Sequence, residues 1–229
     1  SVIKPENIKL FGNGGDVLPE ANKTFRYDDL TENAIQVVTA NPGVFAPGDY
    51  ILFYGTSPDK IYLNKATSKF EHTKNIYSDY TCYFLNFDGG IGLRIEDLEQ
   101  STLEPNYTST GFIESIFYEK DLLNFINSGK DWVGERMDAN SRVFELPEYT
   151  FPGIKQGKQS WIRYRVTSRS TSSTNFTVYI NGTAVGTPSC SAYGNYNYAT
   201  ERIETKSFYP GSEKIEVSFQ YNGMGTAIG

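Results

Sequence analysis

The sequence feature that most constrains this fold is a strict alternation of apolar and polar residues in the second half of the chain. Residues 215–221 place an apolar side chain at every second position, and residues 176–180 repeat the pattern. Residues 161–166 alternate in the same way, with Arg163 and Arg165 on the polar face. Because successive side chains of a strand point to opposite faces, this period predicts β-strands that each bury one face.

A turn signal lies directly after the second of these strands. Asn181 and Gly182 form a pair that tolerates the positive φ angles of a two-residue hairpin. We therefore predict that the second half forms an antiparallel sandwich of jelly-roll or immunoglobulin-like type. In the last strand we expect Val217 and Phe219 to point inward and Ser218 to point outward.

The first half contains shorter apolar segments separated by Gly, Pro and Asn. The segments that we predict to be strands are 8–11, 34–38, 49–55, 60–64 and 81–87. The mostly apolar run at 49–55 predicts a strand that is buried on both faces. Because a Ser-Pro-Asp turn separates this run from 60–64, we expect the two to form a hairpin. Residues 12–15 (GNGG) lack the Lys and Ser/Thr of a phosphate-binding loop, so we predict a turn there.

A polar, irregular stretch at about residues 96–111 indicates a domain boundary. We therefore predict a mainly β protein with two β-rich domains, 1–110 and 111–229. The aromatic content favours this class, because 15% of the residues are Phe, Trp or Tyr and strands favour such side chains.

One segment of the second domain has the pattern of a short helix, predicted over 119–128. Acidic residues, beginning with Glu119, lie in its first turn, where the helix dipole favours them. Gly129 is typical of the position just after a helix. The apolar face of this predicted helix consists of Leu122, Leu123 and Ile126.

Charge and hydropathy exclude several classes of function. The chain has 21 Lys and Arg against 27 Asp and Glu, for a net charge of −6, so it lacks the basic surface of a nucleic-acid-binding protein. No apolar run reaches the roughly 20 residues of a membrane-spanning helix. The start at Ser1 lacks the features of a signal peptide and the end is loop-like, so we expect a piece of a longer chain.

Cysteine and histidine are too few for most reactive sites. His72 is the only histidine, and the two cysteines are Cys82 and Cys190. The sequence is compatible with a disulfide between the two cysteines and with two independent thiols. A catalytic thiol–imidazole pair would have to use His72, but Cys82 lies within a predicted strand rather than on an exposed turn. We therefore expect a surface histidine, a core thiol and no catalytic residue in this chain.

Acidic residues near the start of the chain are weak calcium candidates. Asp16, Asp28, Asp29 and Glu32 lie close together in sequence, and calcium prefers oxygen ligands. The spacing of an EF-hand is absent, so a solvated loop in which Asp28 or Asp29 caps a helical turn is the alternative. We predict no other metal and no cofactor.

The tyrosine-rich segment near residue 195 is a candidate surface for a ligand or partner. Tyr193, Tyr196 and Tyr198 are separated by Gly and Asn, which favour a loop. Rings on a loop can stack on sugars or contact a peptide. The alternative is that this loop covers the edge of a sheet.

Several segments, taken in their order along the chain, resemble a known protein family. These are 9–15 (KLFGNGG), 18–22 (LPEAN), 27–34 (YDDLTENA), 45–55 (FAPGDYILFYG), 75–79 (NIYSD), 83–85 (YFL), 117–119 (FYE) and 128–135 (SGKDWVGE). Together they resemble the N-terminal region of the type IX secretion system sortases of Bacteroidetes, which are gingipain-like cysteine peptidases. The resemblance extends over about residues 4–135.

The resemblance implies a location and a role. Members of that family reside on the extracellular face of the outer membrane, where they cleave a sorting domain from cargo proteins and transfer the cargo to an anionic lipopolysaccharide. Their catalytic His and Cys belong to a caspase-like domain that would follow this segment, so no catalytic residue carries over. The implied role is a non-catalytic scaffold that contacts the peptidase domain, cargo or secretion components. A carbohydrate-binding β-sandwich and a hydrolase using His72 and Cys82 are the alternatives.

Overall fold

Antiparallel strands joined by turns form both parts of the chain, which confirms the predicted mainly β class. The computed structural model describes residues 2–127 and 131–229. It divides into unit 1, Ser1–Phe117, and unit 2, Tyr118–Gly229.

Unit 1 begins with a single 3-10 turn at Pro5–Asn7 and continues as short strands. The strands are β1 (Lys9–Phe11), β2 (Glu32–Asn33), β3 (Gln36–Val38), β4 (Tyr50–Leu52), β5 (Lys60–Asn64), β6 (Lys69–Thr73) and β7 (Phe84–Asn86). They form a sheet of order β2-β1-β7 and the ladders β3-β4 and β5-β6, all antiparallel. The core is small: Ile8, Leu10 and Ile35 are its fully buried members.

The run at 49–55 differs from its prediction in both pairing and burial. Its strand, β4, pairs with β3, where Ile51 lies opposite Val37, while β5 pairs with β6. The Asp49 carboxylate accepts hydrogen bonds from the backbone N–H groups of Ala40 and Ala46 in the β3–β4 loop, at 3.0 and 2.8 Å, and these bonds close the hairpin. Tyr50 and Leu52 are 50% and 49% exposed, because only Ile51 points towards the core. An apolar run alone does not reveal whether a second layer covers the strand.

Polar side chains hold the loops of unit 1 together. The Arg94 guanidinium donates to the carbonyls of Pro5, Glu6 and Ile8 at 2.7, 2.8 and 3.1 Å. The Asn75 amide donates to the Gly15 carbonyl at 2.7 Å, within the predicted 12–15 turn. Any side chain at Gly15 would collide with the backbone of Pro58, so the close approach of these two loops requires glycine.

Unit 2 has longer strands. They are β8 (Val143–Glu145), β9 (Tyr149–Thr150), β10 (Ser160–Ser168), β11 (Thr174–Ile180), β12 (Thr183–Gly186), β13 (Ser189–Cys190), β14 (Thr200–Phe208), β15 (Lys214–Ile215) and β16 (Val217–Tyr221). One sheet has the order β12-β11-β16-β8, with β13 also on β11, and a second sheet consists of β10 and β14. A further ladder joins β15 to β9.

The two sheets of unit 2 bury a shared core, which confirms the predicted sandwich-like arrangement. Tyr164 of β10 packs with Phe176 and Val178 of β11 and with Tyr221 of β16. The Tyr164 and Phe219 rings meet edge to face at 6.1 Å, across the two sheets. In β10, β11 and β16, the period-two pattern of the sequence therefore defines which face of the strand is buried.

The predicted hairpin turn of unit 2 is present between β11 and β12. Asn181 and Gly182 have φ angles of 47° and 74°, the left-handed pair that the tight turn requires. The Asn181 side chain also bridges to β15, because its amide donates to the Lys214 carbonyl at 3.0 Å. In β16, Val217 is buried and Phe219 packs against the core, whereas Ser218 lies opposite Tyr179 in the ladder.

The predicted helix at 119–128 is wrong over its described part, residues 119–127. Leu123 instead forms an antiparallel bridge with Val133, with N–H to carbonyl bonds of 2.9 and 3.0 Å. The Asn124 side chain accepts the N–H of Ile126 at 3.1 Å, a local turn that competes with helical bonding. So short a helix is marginal in water without packing. The predicted end of the helix, Ser128 and Gly129, lies outside the described residues.

Candidate functional site

A cavity of about 170 Å³ opens at one end of unit 2, and Tyr193 of the tyrosine-rich segment lines it. The loop after β10 and the last residues of the chain supply the rest of the wall. The lining residues are Arg169, Ser170, Thr171, Ser172, Tyr193, Met224, Thr226, Ala227 and Ile228. One positive side chain and several hydroxyl groups therefore share one concave surface.

Arg169 is the charged group of this cavity, and the fold holds it in place. Its backbone forms an antiparallel bridge with Ile228, with bonds of 2.8 and 3.2 Å. Its guanidinium lies 5.6 Å from the centre of the Tyr193 ring, a cation–π contact. The same guanidinium donates to the Phe125 carbonyl at 3.4 Å, a long hydrogen bond. A guanidinium has five N–H groups, and among the described residues the Phe125 carbonyl is the one acceptor that Arg169 reaches.

The loop beside Arg169 is ordered by its own hydroxyl groups. The Ser170 hydroxyl accepts the N–H of Ser172 at 3.2 Å, and the two hydroxyls lie 3.4 Å apart. The Ser170 carbonyl accepts the N–H of Tyr193 at 3.0 Å, so the tyrosine-rich loop is tied to the same segment. Below them, Ser168 is fully buried and its hydroxyl donates to the Ile228 carbonyl at 3.0 Å.

The other two tyrosines of this segment have different environments. Tyr196 is 100% exposed. The Tyr198 hydroxyl donates to the Asp131 carboxylate at 2.6 Å, and this bond raises the pKa of Tyr198. Tyr196 is therefore fully exposed, whereas Tyr193 and Tyr198 make intramolecular contacts.

The acidic calcium candidates occupy separate environments in unit 1. Asp16 forms an ion pair with Lys60 at 2.7 Å, and Glu32 accepts the N–H of Leu93 at 2.6 Å. Asp28 and Asp29 are exposed. Within residues 2–127 and 131–229, no group of three or more His, Cys, Asp or Glu side chains could hold a metal ion. Calcium binding by these residues stays a prediction.

His72 is not the surface residue that the sequence suggests. Its side chain is 10% exposed, because the Phe117 ring stacks on it at 3.3 Å, and its Nε2 lies 3.7 Å from Asp59. Cys82 is exposed and lies just before β7 rather than within a strand. Cys190 is buried, which raises its pKa and so disfavours the thiolate. Both cysteines are free thiols.

Unit 1 also presents a set of exposed apolar side chains on short strands. We call them the apolar set: Ile61, Leu63, Phe70, Phe84, Leu85 and Phe87. Adjacent residues of a strand point to opposite faces, yet Phe84 and Leu85 of β7 are 55% and 56% exposed. In the β5–β6 ladder, Leu63 lies opposite Phe70, so both project from one face, where they are 49% and 41% exposed.

Sequence reasoning identified Tyr193 but missed Arg169, Ser170 and the cavity itself. The available signal was an arginine followed by a run of Ser and Thr directly after an alternating strand. The signal is weak, because nothing in the sequence places Ile228 beside Arg169.

Comparisons with known proteins support the fold. In the part of the chain that the structure describes, no helix has the length and apolar character to cross a membrane. No protein-family model matches the chain, and no curated protein matches it. The crystal structure of dimeric latent PorU from Porphyromonas gingivalis is similar, with a TM-score of 0.69 and 22% sequence identity. The similarity covers 98% of this chain and 21% of that chain, so this chain spans about a fifth of its length. The chain therefore has a fold like that of a PorU fragment.

Proposed function

We propose that this chain is a non-catalytic β-rich region of a larger surface-exposed sortase, a gingipain-like cysteine peptidase that processes secreted cargo. In this proposal the region resides on the outer face of the outer membrane. It acts as a scaffold that contacts the downstream caspase-like peptidase domain, with cargo and secretion components as further partners. The observation that carries the proposal is the structural similarity of almost the whole chain to about a fifth of PorU.

The apolar set of unit 1 supports a scaffold role. A two-stranded ladder is marginally stable in water unless something covers its apolar face. Leu63 and Phe70 occupy such a face in the β5–β6 ladder. Exposed apolar surface is typical of contact sites for other protein surfaces. The proposed occupant is the remainder of the parent polypeptide.

The environments of Cys190 and His72 also support a non-catalytic role. A cysteine nucleophile needs a base within hydrogen-bond reach and an environment that favours the thiolate. His72 has Asp59 and Phe117 as its neighbours, and burial raises the pKa of Cys190.

Hydroxyl-radical labelling with mass spectrometry tests the scaffold proposal. The labelling rates of Phe70 and Phe84 are compared between the isolated 229-residue chain and the parent protein. We expect several-fold slower labelling in the parent, because the peptidase domain covers these rings. Phe176, which is buried, reports whether the isolated chain is folded, and Tyr196 serves as the exposed reference. Equal rates for Phe70 and Phe84 in the two proteins would contradict the proposal.

A peptidase assay tests the non-catalytic part separately. The isolated chain is expected to leave peptide substrates intact, whereas the parent protein cleaves them. Turnover by the isolated chain that disappears in Cys82→Ser would replace this proposal with the hydrolase alternative.

The full exposure of Tyr196 favours a second candidate function, glycan binding by unit 2. An uncovered ring on a loop is suited to stacking on a sugar. Under this alternative, Tyr196→Ala abolishes binding of the chain on a glycan array, and Tyr209→Ala, another exposed tyrosine, leaves it unchanged. No glycan binding by the folded chain would eliminate this candidate.

A further inference from the structure

The cavity that contains Arg169 has the composition of an anion site. Among its lining residues, all of which the structure describes, Arg169 is the one ionisable side chain with a permanent charge, and no carboxylate is present. Five of the other lining residues carry hydroxyl groups: Ser170, Thr171, Ser172, Tyr193 and Thr226. A guanidinium and nearby hydroxyls match the oxygen atoms of a carboxylate or phosphate group.

The site is also organised before any ligand arrives. The bridge to Ile228 fixes the Arg169 backbone, and the Tyr193 ring limits where the guanidinium can lie. The hydrogen bonds around Ser170 fix the adjacent loop. Fixed donors lose less conformational entropy on binding than flexible ones, so a small anion can gain affinity from only a few contacts. A volume of about 170 Å³ accommodates several water molecules or a small organic acid.

We propose that this cavity binds a small oxyanion, a carboxylate or a phosphate, with Arg169 as the principal contact and the Ser170–Ser172 loop as secondary donors. Tyr193 positions the guanidinium through its ring. This binding site is independent of the scaffold role, since it lies within unit 2 and involves none of the apolar set.

NMR titration of the 229-residue chain tests the proposal. Acetate and inorganic phosphate are added in separate experiments, and sodium chloride at matched ionic strength is the reference. We expect saturable shifts of the Arg169 side-chain Nε–H and of the Ser172 and Tyr193 amides. The carboxylate and phosphate arms show which oxyanion geometry the cavity prefers. Shifts that do not saturate, or that chloride reproduces, would overturn the proposal.

Variants distinguish binding from a purely structural role of Arg169. Arg169→Gln should raise the dissociation constant about tenfold or more, because charge-assisted hydrogen bonds are lost. Arg169→Lys should give a smaller increase, since it keeps the charge but loses the planar fork. Arg163→Gln, an exposed arginine of β10 outside the cavity, is the matched control and should leave the constant unchanged. An unchanged dissociation constant in folded Arg169→Lys and Arg169→Gln would also overturn the proposal.

Discussion

Units 1 and 2 are both antiparallel, but different interactions hold them together. In unit 2, β10 and β11 are long enough for several alternate side chains to reach one core, and Phe176 and Tyr221 are almost fully buried. In unit 1, the small core around Leu10 is supplemented by polar tethers, of which Arg94 is the clearest.

The difference between the units shows how strand length limits core formation. A strand of three residues, such as β7, contributes at most two side chains to either face. Unit 1 therefore leaves apolar side chains such as Phe84 exposed, whereas the long strands of unit 2 bury side chains such as Phe176 and Val178 in a shared core. A layer from outside would complete unit 1, which is the basis of the proposed scaffold role.

The largest expected effect is that of a charge in the core of unit 2. Val217→Asp should cost unit 2 about 4 kcal/mol or more of unfolding free energy, because an unpaired carboxylate would be buried. Urea denaturation followed by tryptophan fluorescence measures this unit, since Trp132 and Trp161 both belong to it. Val143→Asp is the control on β8, at a site that is 55% exposed. A similar loss of stability in both variants would contradict the assigned burial.

The next largest effect is the difference in stability lost when a phenylalanine ring is truncated in each unit. Phe176→Ala should destabilise unit 2 by about 3–5 kcal/mol, because its side chain is 1% exposed and its loss leaves a cavity. Phe84→Ala should cost unit 1 less than about 1 kcal/mol in the isolated chain, since water already reaches that ring. Fluorescence measures the first change and amide hydrogen exchange the second. Comparable costs would show that the apolar set is packed, and the contrast between the units would fail.

Removing the Arg94 hydrogen bonds of unit 1 should have an intermediate effect on stability. Arg94→Met should destabilise unit 1 by about 2 kcal/mol, because the carbonyls of Pro5 and Ile8 lose charge-assisted partners. Faster hydrogen exchange at the Gly12 amide, which bonds to Thr31, is the measurement. Arg26→Met, at an exposed arginine of the same unit, is the control. Unchanged exchange in Arg94→Met would mean that the small core alone stabilises unit 1.

The smallest expected effect concerns a carboxylate at the surface of unit 2. Lys206 first, then Arg202 and the Tyr164 hydroxyl, hold the pKa of Glu204 below its ordinary value. Because its pKa is lower in the folded state, ionised Glu204 stabilises the fold at pH values above its unfolded-state pKa of about 4.3. This stabilisation is lost as the pH falls through the folded-state pKa. Glu204→Gln should therefore cost less than about 1 kcal/mol at pH 7, and the difference from wild type should shrink below about pH 4. A difference that is independent of pH would refute this interpretation.

The fold was predictable where the pattern had a clear period. Alternation over 161–166, 176–180 and 215–221 identified β10, β11 and β16 and their buried faces, and Asn181-Gly182 identified a turn. No strand was predicted at β14, although it is as long as β10. Prediction failed at 119–128, where a helical pattern was outweighed by pairing of Leu123 with Val133. Over such a short segment, intrinsic helix propensity stabilises a helix less than pairing with a distant segment stabilises the alternative structure.

The candidate site was predictable only in part, for a geometric reason. The spacing around Tyr193 indicated a loop with exposed rings, but the ring's role depends on Arg169, which lies on a different segment of the chain. Contacts between residues distant in sequence leave no local periodicity, so the weak signal of an arginine followed by Ser and Thr could not have identified the cavity.

By itself, the sequence determined the class of this protein: mainly β, acidic, and built from strands whose buried faces follow a period of two. Only the tertiary structure decided which strands pair, that Asp49 closes the β3–β4 hairpin, and that Arg169 and Tyr193 share a cavity. Side-chain alternation is a local consequence of backbone geometry, whereas pairing and cavities result from competition among distant segments for the same partners.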